Sequence, residues 1–318
     1  MFRDRDQSDS ISIPDPIRGS TVLVTGGAGF VGSHLAHALA DACTVRVVDD
    51  LSGGDRTRVP REATFLEGDL RDTAVLAPAA EGVDYVFHQA GLVSVPESVE
   101  RPLESHERNV DATLAVLEAA REQDARVVVA SSAAVYGPPS SVPIGEDDPT
   151  DPTSPYGVDK LAADHYTRLY HGRYGVETVA LRYFNVYGPG QDSGVVNAFL
   201  DRIRAGEPLI VEGDGEQTRD FVHVDDVVRA NLAAATTDGV GRAYNVGTGE
   251  ATRIDELAAT ISELAGGDVP IEHTAPRPED LEDSCADISR AKTALSFDPT
   301  VALEDGLADL LAVSVARQ

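Results

Sequence analysis

Thr21-Val22-Leu23-Val24-Thr25-Gly26-Gly27-Ala28-Gly29-Phe30-Val31-Gly32 is the stretch from which the fold of this chain is read. Thr21 to Thr25 is a β-branched apolar run with the composition of a buried strand, and Phe30 onward has the apolar spacing of a helix. Between them Gly27, Gly29 and Gly32 keep the G-x-G-x-x-G spacing. The first glycine permits a tight turn and the second lets backbone approach a pyrophosphate. The third lets helix and strand pack closely while the helix N-terminus faces the negative charge. Twenty residues past Gly29, a second β-branched run, Thr44 to Val48, ends in Asp49. An acid there can accept both hydroxyl protons of an adenosine ribose and repels a 2′-phosphate, which favours NAD. Taken singly these features read equally as a bare strand-to-helix turn and a solvated strand end; together they mark a dinucleotide site.

Working outward, Thr64 to Glu67, Asp84 to His88 and Arg126 to Ala130 read as further strands, separated by helical patterns of which Leu103 to Arg121 is the clearest. Strands alternating with helices imply right-handed crossovers and an α/β, doubly wound (Rossmann) parallel sheet. From Val186 the elements shorten: a helix from Val195 to Arg204, a strand at Leu209 to Val211, helices near Asp225 to Ala235 and Ile254 to Leu264, and a strand from Ala243 to Gly247. The expected division is a dinucleotide-binding domain over 18–185, with segments returning at about 221–247, and a smaller C-terminal α/β substrate domain over 186–318. Met1 to Ile17, polar and holding Pro14 and Pro16, reads as a mobile extension.

Composition narrows the function. Among 318 residues, 26 basic side chains face 54 acidic ones, a net charge of −28 that repels the phosphates of nucleic acid and of anionic membranes. The acids are spread through every segment, as on a solvated surface, and suit a high-salt cytoplasm where screening removes their mutual repulsion. Cys43 and Cys285 form no metal pair or disulfide framework, so a reducing compartment is expected. No apolar run reaches the length of a membrane span, and the N-terminus is too polar for a secretory signal, which together point to the cytoplasm. His34 and His37 stand three apart on the first helix, but histidines so placed are ordinary packing residues far more often than ligands. No metal site is expected.

The chemistry gathers after the fifth strand, in Ser131-Ser132-Ala133-Ala134 and in Ser154-Pro155-Tyr156-Gly157-Val158-Asp159-Lys160. Pro155 sets a helix start, and Tyr156 and Lys160, four apart, share one face of that helix. Lys160 and Lys292 are the only lysines in the chain. A compact ammonium reaches ribose hydroxyls and a phenol together where an arginine fork does not. A free phenol titrates near pH 10, so a base at neutrality needs a shift of about three units, roughly 4 kcal/mol, which an adjacent ammonium and an oxidised nicotinamide can jointly supply. On any other helix the pair would be a surface i,i+4 contact.

With these residues the chain resembles the extended short-chain dehydrogenase/reductase family, and within it the NAD-dependent nucleotide-sugar epimerases of the UDP-glucose 4-epimerase type. The resemblance covers nearly everything after about Arg18. It rests on Thr25 to Gly32, Asp49 to Ser52, Gly68-Asp69-Leu70, His88-Gln89-Ala90-Gly91, Ser131-Ser132-Ala133, Tyr156 to Lys160, Arg182 to Gly188 and Gly213 to His223. It implies a cofactor site of Gly26, Gly29, Phe30, Val31, Gly32, Asp49, Asp50, Leu51, Ser52, Asp69, Leu70, Gln89, Ala90, Gly91, Ser131, Tyr156, Lys160 and Phe184. It makes Tyr156 the base on the sugar hydroxyl, Ser132 a partner of the same oxygen, and Lys160 the group that holds the nicotinamide ribose and lowers the phenol. The implied reaction passes a hydride to NAD, turns the keto-sugar in the pocket and returns the hydride to its other face.

For the substrate the resemblance implies Ser94, Ser132, Asn185, Val195, Ile210, Val211, Arg219, Arg277 and Ser284. The two arginines lie at a UDP diphosphate, and Ile210 and Val211 lie against the uracil. Arginine forks suit a diphosphate that the acidic surface would otherwise repel. Arg277-Pro278-Glu279-Asp280 departs from the family's usual Arg-Pro-Gly-Asp. Ala133 and Ala134 cannot transfer protons where related dehydratases and decarboxylases carry acids, which favours epimerisation over those reactions or a dehydrogenase. Serine at 284, where relatives are either bulky or small, leaves room for N-acetyl groups. A non-catalytic NAD-binding regulator would not need Ser132, Tyr156 and Lys160 together. The resemblance further implies a homodimer formed through Leu103 to Arg121 and Ser154 to Tyr170.

Overall fold

A computed structural model describes residues 11–276 and 281–315. The glycine stretch forms the expected unit: β1 (Thr21–Thr25), a turn, and α1 (Phe30–Ala40). Gly26 takes φ +66°, and a Cβ added to Gly32 would lie 2.2 Å from the Gly26 carbonyl oxygen, so only glycine lets α1 start this close to the strand. β2 (Thr44–Asp49) pairs parallel with β1, and β3 (Thr64–Glu67) pairs with β2. After α2 (Thr73–Ala80), β4 (Tyr85–His88) adds to the other side of β1.

α3 (Val95–Glu100) and α4 (Pro102–His106) lead into a π-helical turn over Glu107–Asp111 and then α5 (Ala112–Gln123). The helix expected over Leu103 to Arg121 is thus interrupted by one widened turn, a device common at functional sites. β5 (Arg126–Ser132), α6 (Pro155–Tyr174) and β6 (Thr178–Tyr183) follow.

The second lobe begins at β7 (Asn185–Tyr187), α7 (Val195–Ala205), β8 (Leu209–Glu212) and β9 (Thr218–Arg219). β10 (Phe221–His223), α8 (Val224–Ala234) and β11 (Arg242–Val246) come next, and β11 returns to the main sheet beside β6. β12 (Thr252–Arg253), α9 (Ile254–Leu264), β13 (Ile271–Thr274), α10 (Ser289–Leu295) and α11 (Leu303–Val315) complete the described chain.

The seven-stranded sheet runs β11-β6-β5-β4-β1-β2-β3, all parallel. Its order reverses between β1 and β4, where ligands of open α/β sheets bind. One face packs on Leu35, Leu39, Val228 and Leu232 of α1 and α8. The other packs on Leu76, Val116, Leu117 and Tyr170 of α2, α5 and α6. Burial on both faces explains why β1, β2 and β5 read as β-branched runs. A separate core of Phe199, Leu200, Leu209, Leu257, Ile261 and Leu307 holds the second lobe.

The N-terminal expectation needs correcting. Ile13 and Ile17 are buried in the main core, so residues 11–17 belong to the folded body and not to a mobile extension; residues 1–10 lie outside the described chain. Burial of these apolar side chains outweighs the local signal of the flanking prolines. Among the described residues no helix is long and apolar enough to cross a membrane, and no group of His, Cys, Asp and Glu could hold a metal ion.

Candidate active site

A cleft of about 1260 Å³ lies over the C-terminal ends of β1, β4 and β5, between the main sheet and the second lobe. A pocket for one small ligand holds roughly 300–1,000 Å³, so this one has room for a dinucleotide and a second molecule beside it.

The wall nearer the sheet is built from Gly26 and the first turn of α1. Gly29, Phe30, Val31 and Gly32 line the cleft, and no side chain caps the helix. Its leading N–H groups are therefore available to an anion. Asp49, 8% exposed, also lines the cleft. Its carboxylate accepts from the Ala28 and Leu51 amides, both at 2.9 Å, so it organises the glycine turn as well as facing it. Burial raises its carboxyl above the ordinary range, against the pull of those two N–H groups.

Asp50, Ser52, Asp69, Leu70, Gln89, Ala90 and Gly91 line the same wall. Leu51 does not: its backbone turns left-handed at φ +58° and its side chain packs on the main core. Arg108, from the π turn, closes this end by donating to Ser52 Oγ at 2.5 Å. An uncapped helix N-terminus, a carboxylate at the end of β2 and a lining of small residues between them suit a dinucleotide.

Ser131, Ser132, Tyr156, Lys160 and Phe184 all reach the cleft. Ser154 caps α6 by accepting from Gly157 N, and Pro155 occupies the first helical position, which fixes where Tyr156 stands. The Tyr156 phenol and the Ser132 hydroxyl face the same cleft, and the hydroxyl favours the charged form of the phenol. Lys160 Nζ donates to Ala130 O at 2.9 Å and lies 6.0 Å from the Tyr156 ring centre. Burial pushes Lys160 down to about 8.

Burial also raises the Tyr156 phenol, with the Ser132 hydrogen bond pulling the other way. The expected lowering by Lys160 is therefore not a property of the protein groups alone. The ammonium is aimed at a backbone carbonyl, and desolvation of the phenol wins.

The facing wall is assembled from distant segments. Asn185, Val195, Ile210, Arg219 and Ser284 line the cleft as expected. Val211 does not, because strand alternation sends it into the second-lobe core while Ile210 and Glu212 face the cleft. Ser94 caps α3, its hydroxyl accepting from Glu97 N at 3.2 Å, and the cleft is lined by its neighbours Val93 and Val95. Arg277 lies outside the described residues.

Asp220, fully buried, ties this wall together. Its carboxylate accepts from Thr248 N and Oγ1, both at 2.7 Å, from Gly249 N at 2.9 Å and from Ala286 N at 3.1 Å. Its own carbonyl accepts from Asn185 N at 2.9 Å.

Three residues have roles that their local sequence did not announce. Gln191 lines the cleft, donates to Val186 O at 2.9 Å and leaves its buried Oε1 without a partner. Asn109 Oδ1, buried beneath Gly91, is likewise unpartnered. Arg58 makes a two-pronged ion pair with Asp192 at 2.9 and 2.8 Å, joining the loop after β2 to the loop after β7. No motif signals any of them: Arg58 depends on a partner 134 residues away, and the two amides are distinguished by an oxygen that folding leaves unpartnered.

Comparison with known proteins agrees with this architecture. The profile of the NAD-dependent epimerase/dehydratase family matches residues 22–247. A putative UDP-glucose 4-epimerase of Methanocaldococcus jannaschii is 37% identical over 294 residues, covering 90% of this chain and 95% of that protein. Among solved structures, a UDP-N-acetylglucosamine 4-epimerase from Methanobrevibacter ruminantium, in complex with UDP-N-acetylmuramic acid, superposes with a TM-score of 0.91 at 36% identity, over 95% of this chain and all of that one. A Thermotoga maritima UDP-glucose 4-epimerase with UDP-glucose gives 0.89 at 37% identity, over 93% of this chain and 98% of that one. The chain belongs to the NAD-dependent epimerase/dehydratase family, as an enzyme of the extended short-chain dehydrogenase/reductase type with NAD as its cofactor.

Proposed function

We propose that this enzyme epimerises UDP-hexoses at C4, interconverting UDP-glucose and UDP-galactose and accepting their N-acetylated counterparts. The observation that carries the reading is the meeting of Ser132, Tyr156 and Lys160 at one cleft, with Ala133 and Ala134 beside them. That arrangement provides one proton-transfer group and no acid for elimination.

Tyr156 takes the proton from the sugar 4-hydroxyl, and Ser132 orients the same oxygen. Lys160 supplies positive charge at the floor of the cleft and would hold the nicotinamide ribose. Gly29, Phe30 and Val31 would hold the pyrophosphate, and Asp49 the adenosine ribose. NAD, when bound, would supply the hydride acceptor and donor for C4, and the proton that Tyr156 removes would return to the same oxygen. Arg219 and Arg277 balance the diphosphate, with Asn185 and Val195 beside it and Ile210 against the base. Ser284, small and lining the cleft, leaves space at the substituent that distinguishes the two hexose classes.

The exposed Val99, Leu103, Val158 and Leu169, on α3, α4 and α6, supply an apolar face for a homodimer. The scattered acids suit a high-salt cytoplasm, and thermal stability should rise between low and molar salt.

Incubation with UDP-, dTDP- and GDP-sugars at high salt, followed by chromatography of products, tests the reading. The expected result is interconversion of UDP-glucose and UDP-galactose, and of the N-acetylated pair, with no change of mass. An elimination product or net cofactor reduction overturns it. Failure on UDP-N-acetylglucosamine, while UDP-galactose turns over, overturns the wider range; Ser284→Tyr should abolish that wider range.

A further inference from the structure

His88 ends β4, directly before the Gln89-Ala90-Gly91 stretch of the cofactor wall, and is buried out of reach of the cleft. Its ring sits between two hydroxyls: Thr25 Oγ1 is 2.7 Å from Nδ1 and Thr113 Oγ1 is 3.0 Å from Nε2. Thr113 has one proton and gives it to the Asn109 carbonyl at 2.5 Å. Thr113 Oγ1 must therefore accept from Nε2–H, which leaves Nδ1 to accept from Thr25. Burial holds the ring neutral, pushing it down to about 3, with Lys160 adding to the effect. The direction of every bond from Thr25, the last residue before the glycine turn, to the Asn109 carbonyl is thus determined.

The far end of this chain lies in the π turn, where the ordinary helical ladder is interrupted. Asn109 Nδ2 donates to Leu92 O at 3.1 Å and to Ser105 Oγ at 3.4 Å, and Ser105 in turn donates to Asp159, the neighbour of Lys160, at 2.6 Å. A Cβ placed on Gly91 would stand 2.5 Å from Asn109 Oδ1 and 3.4 Å from Lys160 Nζ, so Asn109, Gly91 and Lys160 converge under the cleft floor.

We propose that His88, acting through Thr113, is a positioning residue for the reaction: it holds the widened turn in place and with it Asn109, the Gly91 backbone and Lys160. This rests on the reading of Tyr156 and Lys160 as the catalytic pair.

The test is Thr113→Val, which keeps the side-chain shape and removes the hydroxyl. Its kcat should fall about tenfold, as expected for a small misplacement of reacting groups, while nucleotide-sugar KM and bound NAD stay at wild-type levels. His88→Leu should lose the same factor, and the double variant no more than either single one, because the chain is already broken. His88→Gln, which restores an N–H toward Thr113, should recover most of the rate. A Thr113→Val enzyme with wild-type kcat, whatever its melting temperature, overturns the proposal; so do two single losses that multiply in the double variant. If His88→Leu does not fold, Thr113→Val and His88→Gln decide the matter. Inactivity of the wild-type protein on every nucleotide sugar would instead refute the catalytic reading beneath it.

Discussion

The two walls of the cleft are made in different ways. The cofactor wall is a local construction: strand, glycine turn and helix follow one another within Thr21–Ala40, and Asp49 closes the turn from the next strand. The facing wall brings together Asn185, Thr248 and Ala286, more than 100 residues from first to last, through one residue: the buried Asp220 carboxylate holds Thr248 and Ala286, and its main-chain carbonyl holds Asn185. The first needs the right residues at the right spacing. The second needs long-range hydrogen bonds, so it can be damaged without touching any group that meets the substrate.

The most severe way to break the comparison is at the seam, where the Tyr156 phenol reaches the cleft. Tyr156→Phe should lower kcat about a thousandfold, the usual range for removing a positioned proton-transfer group, with bound NAD unchanged. Steady-state turnover of UDP-galactose checks it.

Lys160 comes next and has an opposite effect on stability. Its folded value of about 8 lies below the ordinary 10.5, so the folded protein gives up this proton first as pH rises. Charged Lys160 therefore destabilises the fold below about pH 8, and the cost is relieved between there and the ordinary lysine value. Lys160→Met should be inactive yet more stable at neutral pH by up to about 3 kcal/mol, less what the Ala130 hydrogen bond contributed. Denaturant unfolding at pH 7 and at pH 10 tests this, and the gain should shrink at the higher pH.

Asp220→Asn sharpens the contrast between the walls. It keeps the shape but replaces an acceptor oxygen with a donor facing N–H groups, so nucleotide-sugar KM should rise about tenfold while NAD binding holds. Equal losses in both ligands would mean that the walls are not independent.

The smallest expected effect is at the tie between the walls. Asp192 is two-thirds exposed, and such pairs contribute no more than about 1 kcal/mol, so Arg58→Ala should speed NAD release only about threefold, with the difference fading in molar salt. Cofactor content after gel filtration at low and high salt reads it.

What the sequence could reveal follows the same division. The glycine turn and the strands β1, β2 and β5 are legible because each of those strands is a contiguous, largely buried β-branched run, whereas β6, equally buried, carries no such signal in the sequence reading. Tyr156 and Lys160 were legible because helical spacing alone puts them on one side of α6. Val211 and Leu51 face away from the cleft because a two-residue strand period and a left-handed turn decide which way they point, and a motif match carries neither. The Ser94 hydroxyl also caps α3, a role its spacing before Glu97 announces. Asn109, Gln191 and Asp220 could not be weighted from sequence. An amide or carboxylate declares its purpose only once its distant partners, or their lack, are known.

The segment that carries Ser284 is fastened by main-chain bonds on either side: Ser284 N to Thr218 O, Ile144 N to Cys285 O, and Ala286 N to Asp220. None of these bonds involves the Ser284 side chain. A change of side chain at that position would therefore leave every one of these bonds in place.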